Sequence, residues 1–203
     1  MEKITELKVR SREIPLSVDF PTSYTYPPGE GRGRITHHVF VRIRAGDHTG
    51  YGEGIELTMF TGGTSRTMEE IIRSYFAEVI LGCSVDDALI RFRELIMSHP
   101  HNPGAKLGVE MALYDLLGKI RGVPLYELLG RRMRSEIPVS HAIGALSPDK
   151  AVEQAREVIE LGFRTIKLKA DGDIPGDLKR INSVLEALPP DCRLRVDANQ
   201  SWD

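Results

Sequence analysis

From Arg134 onward the chain alternates short apolar segments with amphipathic ones, and this rhythm constrains the fold more than any other feature. Residues 137–143, 165–169 and 193–197 have the length and the Ile, Leu and Val content of strands. Residues 148–161 and 175–188 between them have helical periodicity. Ser147-Pro148-Asp149 supplies a start signal with proline at the first helical position. Gly162 and Pro189-Pro190 supply the stops. The order β-α-β-α-β predicts a parallel sheet with right-handed crossovers. Ser201 reads as the cap of a further helix.

The preceding half has another pattern. Residues 4–12, 35–44 and 49–55 read as strands, with a turn at Gly46-Asp47-His48, and predict an antiparallel three-strand meander. Helices are expected over 68–81, 84–98 and 103–121, with a short turn of helix over 125–129 closed by Gly130. The third of these would turn Leu107, Met111, Tyr114, Leu116 and Leu117 toward a core. Residues 15–33 hold Pro21, Pro27, Pro28, Gly29 and Gly31 and read as a loop, with Tyr24 and Tyr26 available to touch a ligand. The basic stretch 131–135 reads as a solvated linker. The expected organisation is an α+β domain over 1–134, followed by parallel βα units over 135–203.

Composition excludes several functions. A formal charge of -2 leaves no electrostatic footprint for nucleic acid or an acidic membrane. No run approaches the ~18 apolar residues that span a bilayer, and the first ten residues are charged throughout, unlike a secretory leader. Cys83 and Cys192 have no CxxC neighbour and read as free core thiols in a reducing compartment. The expected location is the cytoplasm.

Chemistry concentrates at two strand ends. Lys167 and Lys169 are two apart on a strand and so share a face, while Ile166 and Leu168 take the other. A parallel sheet is ordinarily covered on both sides by apolar residues, so two lysines on one face break the pattern. A nearby like charge favours the neutral form of an ammonium group, and a neutral lysine is a competent base for an acidic C–H proton. Two lysines pointing into solvent from a strand end would also satisfy the pattern. Asp197 and Asn199 have the same spacing on the next strand. Carboxylate oxygens are what Mg²⁺ prefers, although a strand-end Asp that caps a helix is also common. Successive parallel strands delivering charge at their C-terminal ends is the arrangement of active sites in barrels and open α/β sheets. Glu53 and Glu56 are left unassigned, the glycines around Glu53 favouring a structural turn. His37 and His38 are adjacent and face opposite ways. His141 faces either the site or a helix.

These residues resemble the muconate-lactonizing subgroup of the enolase superfamily (the mandelate racemase/muconate lactonizing enzyme family). Lys167-Leu168-Lys169 is similar to the family's K-x-K pair at the end of the second barrel strand, and Asp197-Ala198-Asn199 to its D-x-N motif at the end of the third. Residues 110–130, EMALYDLLGKIRGVPLYELLG, and the segment Gly50-Tyr51-Gly52-Glu53-Gly54 resemble its N-terminal signatures. The resemblance implies a capping domain followed by the first three strands of a TIM-type barrel. It implies that Asp197 is one of three carboxylate ligands to Mg²⁺, which would hold a substrate carboxylate and stabilise an enediolate. Lys169 would be the acid/base on one face of the substrate, with Lys167 supplying positive charge beside it. Asn199 would be a polar neighbour of the substrate, and the loop carrying Tyr24 and Tyr26 would close over it. The implied activities are isomerase or lyase reactions on a small carboxylate-containing substrate: cycloisomerase, racemase/epimerase, dipeptide epimerase or o-succinylbenzoate synthase.

A full barrel has eight strands, and three are expected here. The other two metal carboxylates and the opposing lysine belong to later strands, so the 203-residue chain is expected to bind Mg²⁺ poorly and to be inactive alone. An open apolar sheet edge invites association, so a homo-oligomer is expected. Two alternatives stand beside the truncated enzyme: a non-catalytic module that serves folding or assembly, and an unrelated small α/β binding protein.

Overall fold

The computed structural model describes residues 2–17, 20 and 35–202. They fall into two compact units, one holding residues 2–15 and Thr36–Met133, the other holding the chain from Arg134 onward with the described part of Leu16–Ile35.

The first unit begins with strands β1 (Ile4–Pro15), β2 (Ile35–Ala45) and β3 (His48–Ile55), which form a sheet in the order β1-β2-β3. A two-residue turn, Gly46-Asp47, joins β2 to β3, and Gly46 takes the positive φ of 52° that such a turn demands. Alternation along β2 is strict: Val39, Val41, Ile43 and Ala45 are buried. Opposite them in the antiparallel register stand Gly54, Gly52, Gly50 and His48. Strand β3 thus offers three glycines on its buried face. Glu53 lies within this strand rather than in the turn its glycine neighbours suggested.

The glycines admit a helix. Helix α1 spans Thr58–Thr61, α2 Ser65–Ile71, α3 Ala77–Ile80, α4 Val85–Ser98 and α5 Pro103–Arg121. A Cβ at Gly50, Gly52 or Gly54 would run into the backbone carbonyls of Ala112, Gly108 and Gly104 of α5 respectively. Four residues of helix advance about 6 Å and two residues of strand about 6.6 Å, so the two small-residue ladders stay in step for three rungs. Packing this close selects the face of α5. Ala105, Gly108, Val109, Ala112, Leu113, Leu116 and Leu117 are buried, whereas Leu107 is 50% and Met111 43% exposed. Bulk alone favours turning Leu107 and Met111 inward, as expected from the sequence; close backbone approach selects the small residues instead.

The expected helix over 68–81 starts earlier. Thr64 caps α2, accepting from the backbone N–H of Thr67 while the Thr67 hydroxyl accepts from Thr64 N–H. A π-helical turn, Ile72–Phe76, links α2 to α3. Ser84 caps α4 as expected, with its hydroxyl 3.2 Å from Asp87 N. At the other end of α4 the buried Lys106 ammonium donates to the carbonyls of Ile96 and His99, which offsets two carbonyls that a helix end leaves open. After α6 (Leu125–Leu129), residues 131–134 are exposed. Cys83 and Cys192 are free and half-buried rather than fully in the core.

The second unit is a parallel sheet in the order β4-β5-β6, with β4 at His141–Ile143, β5 at Thr165–Lys169 and β6 at Arg193–Asp197. The expected strand over 137–143 shortens to its last three residues, the ones that pair with β5. Helices α7 (Pro148–Glu160) and α8 (Ile174–Ala187) supply the crossovers. Ser147 precedes α7 without a side-chain capping bond. Ile143, Ile166 and Leu168 are buried against Ala151, Ala155, Val158 and Val184 of the helices. Among the described residues no helix is long and apolar enough to cross a membrane.

Candidate active site

Parallel pairing aligns β5 and β6 so that Lys167 stands beside Arg195 and Lys169 beside Asp197. Because Ile166 and Leu168 pack under the helices, period two turns both lysines to the opposite face. They do not splay into solvent. Each Nζ lies 2.8 Å from the same carboxylate oxygen, Oδ2 of Asp197. Lys169 also donates to Oδ1 of Asn199 at 2.7 Å. The other oxygen of Asp197 accepts from the backbone N–H of Asn199 at 3.0 Å. Lys169 is the most enclosed of the charged three, its side chain 12% exposed against 33% for Lys167 and 24% for Asp197.

The Lys167 and then the Lys169 ammonium hold the Asp197 carboxyl far below the ordinary carboxylate range. Burial opposes them, and the Asn199 N–H adds to their effect. Asp197 is therefore a carboxylate at any working pH. The structure thus brings together four of the six residues singled out from sequence: Lys167, Lys169, Asp197 and Asn199. Tyr24 and Tyr26 lie outside the described residues.

Other sequence candidates resolve differently. His141 lies on the helix side of β4, its ring packed edge-on against Phe163 with centroids 5.1 Å apart. His38 bridges Glu53 Oε1 at 2.5 Å and Thr36 Oγ1 at 2.8 Å, a cross-strand pair of β2 and β3. Burial pushes the Glu56 carboxyl up, but hydrogen bonds from Ser65 and Thr58 outweigh it and lower its pKa. Sequence reasoning missed Asp177, Arg180 and Trp202. The first two are buried in α8, and the Trp202 indole donates to Asp177 Oδ2 at 2.9 Å. Their signals were an acid and a base three apart on one helix and the chain's single tryptophan.

Mg²⁺ is bound by carboxylates with retained water and substrate oxygen. Asp197 fits as one such ligand: an ionised carboxylate at a strand's C-terminal end. Among the described residues no three His, Cys, Asp or Glu side chains gather as a metal site.

An antiparallel sheet-and-helix unit followed by parallel βα units with charge at their C-terminal ends is the architecture of the enolase superfamily. Residues 32–130 match the mandelate racemase / muconate lactonizing enzyme N-terminal domain, and residues 150–203 match the enolase C-terminal domain-like family. The chain belongs to the mandelate racemase / muconate lactonizing enzyme family of that superfamily. It is 32% identical over 202 residues to an L-Ala-D/L-Glu epimerase of Clostridium acetobutylicum, an alignment that covers 98% of this chain and 54% of the relative. An N-succinyl-L-Arg/Lys racemase of Bacillus cereus is 27% identical, with 98% and 53% covered. A dipeptide epimerase from Methylococcus capsulatus, complexed with Mg and the dipeptide L-Arg-D-Lys, superposes with a TM-score of 0.87 at 30% identity. That superposition covers 99% of this chain and 55% of that structure. The chain thus spans about half the length of the relatives it matches.

Proposed function

We propose that Lys167, Lys169, Asp197 and Asn199 form one side of an active site that removes the α-proton of a carboxylate substrate. In this reading the whole protein is a Mg²⁺-dependent racemase or epimerase of dipeptides or N-acylated amino acids. The observation that carries the proposal is the convergence of both lysines on one carboxylate at aligned strand ends. The names of the relatives support the substrate class. Cycloisomerase and o-succinylbenzoate synthase chemistry would use the same residues.

Lys169 is the proton carrier. A lysine ammonium has three hydrogens, and two of them point at Asp197 and Asn199. The remaining direction is left for substrate, and it becomes the lone pair when the amine is neutral. The two acceptors thus aim the nitrogen without occupying its reactive direction. Lys167, on the same carboxylate oxygen, adds a positive charge that favours an anionic substrate and the charge that develops on it. Asp197 would hold Mg²⁺ together with carboxylates outside the described residues, and the ion would supply charge against the developing anion. Tyr24 and Tyr26 are assigned to substrate contact, residues 1–134 to a capping domain and residues 135–203 to the barrel. The working assembly is a cytoplasmic homo-oligomer.

A second reading, that the 203-residue chain alone is an inactive module serving folding or assembly, is favoured by one observation: no group of metal-ligating side chains is complete among the described residues. Incubation with Mg²⁺ and a panel of L,L-dipeptides and N-succinyl amino acids in D₂O tests both. The whole protein is expected to incorporate deuterium at the α-carbon of at least one substrate, and the 203-residue chain none. No incorporation by the whole protein would overturn the activity, and incorporation by the chain alone would overturn its inactivity.

A further inference from the structure

The turn that carries Asn199 is strained. Asn199 and Gln200 have φ of 49° and 63°, the left-handed region that asparagine tolerates singly but that glutamine, and two such residues in succession, adopt only when their surroundings impose it. Local bonds supply part of that constraint: Ser201 N–H donates to Ala198 O at 2.9 Å, and the Ser201 hydroxyl donates to the same carbonyl at 2.5 Å. The next residue, Trp202, leaves the turn and reaches a carboxylate with no exposure at all, that of Asp177.

Asp177 is a junction. Its Oδ1 accepts from Asp171 N–H at 3.2 Å and from Arg180 Nη1 at 2.5 Å. Its Oδ2 accepts from Gly172 N–H at 3.1 Å and from Trp202 Nε1 at 2.9 Å. Arg180 in turn donates through Nε to Leu146 O at 2.5 Å. One buried ion pair on α8 therefore fastens the segments that follow β4, β5 and β6. Burial pushes the Asp177 carboxyl up, but the indole, the two backbone N–H groups and Arg180 outweigh it, so it remains ionised. The segments after β5 and β6 also touch directly. A Cβ at Gly172, whose φ is 97°, would sit 3.2 Å from Ser201 O.

We propose that Asp177 is a positioning residue for the candidate site: through the indole of Trp202 it holds the left-handed Asn199–Gln200 turn, and so sets the Asn199 carboxamide against Lys169. The inference rests on the assignment of Lys169 as proton carrier for its meaning, but the contacts themselves do not depend on it. An ion pair that served only to bury α8 would need no bond to the segment after β6. Here one of the four hydrogen bonds to the carboxylate goes to that segment, two residues beyond the strained turn.

Trp202→Phe keeps an aromatic side chain and removes the N–H donor with the pyrrole ring; Asp177→Asn keeps the size and removes the charge. In Trp202→Phe, amide hydrogen exchange at Asn199 and Ser201 is expected to quicken about tenfold, the loss that a hydrogen bond to a charged group implies. Exchange at Ile166 and Leu168 in β5 should be unchanged. Acetylation of Lys169 by a water-soluble N-hydroxysuccinimide ester should rise several-fold relative to the exposed Lys150. Asp177→Asn should produce the same changes if it folds; if it does not, Trp202→Phe carries the test alone. Wild-type rates at Asn199, Ser201 and Lys169 in folded Trp202→Phe would overturn the proposal, as would quickening spread equally through β5. Neither readout uses substrate, so failure here is distinct from failure of the proposed activity.

Discussion

Asp197 accepts two ammonium groups on a single oxygen, and this one residue makes the site sensitive to acid. Its folded pKa lies below the ordinary value of 3.8. The stabilisation from the pairing is therefore fully present above pH 3.8 and is lost as pH falls through the depressed folded value. Asp197→Asn leaves two lysines without their shared countercharge. It is expected to cost about 1–3 kcal/mol near pH 7, and chemical denaturation should show the gap to wild type narrowing only below about pH 4. A gap that stayed constant down to pH 2.5 would show that the carboxylate charge contributes nothing. At this scale much was legible. Period two put Lys167 and Lys169 on one face, and the same spacing paired Asp197 with Asn199. What could not be read was which side of β4 His141 takes, since its strand is only three residues long and Phe163 decides the matter. Asp177, Arg180 and Trp202 were equally hidden, because three separate segments must meet before their partnership exists.

Among the elements, the contact of β3 with α5 shows most clearly how sequence becomes architecture. Gly50, Gly52 and Gly54 are needed for closeness rather than for backbone freedom, since none has a positive φ. Gly52→Ala would place a methyl group into the Gly108 carbonyl, where neither backbone can yield cheaply. The expected loss is about 3 kcal/mol. Gly62→Ala meets nothing within 4 Å and suffers only from its φ of 69°, an expected cost of about 1 kcal/mol. Thermal melting of the two variants compares the mechanisms; equal shifts would contradict the glycine ladder. The strand order, the turn at Gly46 and the Ser84 cap were readable because each depends on a few neighbouring residues, whereas the Thr64 cap and the lack of a capping bond at Ser147 were not. The buried face of α5 was not. A helix with apolar residues all round has no unique apolar stripe, and its partner's glycines, some fifty residues earlier in the chain, choose the face.

Taken whole, the molecule pairs a sheet-and-helix unit with parallel βα units, each with its own buried core. Its family, and the alignment with about half of each relative, were foreshadowed by K-x-K and D-x-N arriving in order on successive strands. The substrate was not legible, because two strand-end motifs do not specify what surrounds them. The central claim is that Lys169 carries the proton on one face of the substrate. Its most direct test is Lys169→Met in the whole protein, with Mg²⁺ and both epimers of an accepted dipeptide, following α-deuterium incorporation from D₂O by NMR. Exchange should vanish for one epimer, with its rate falling at least about a thousandfold, and persist for the other. Retained exchange for both epimers would contradict the account.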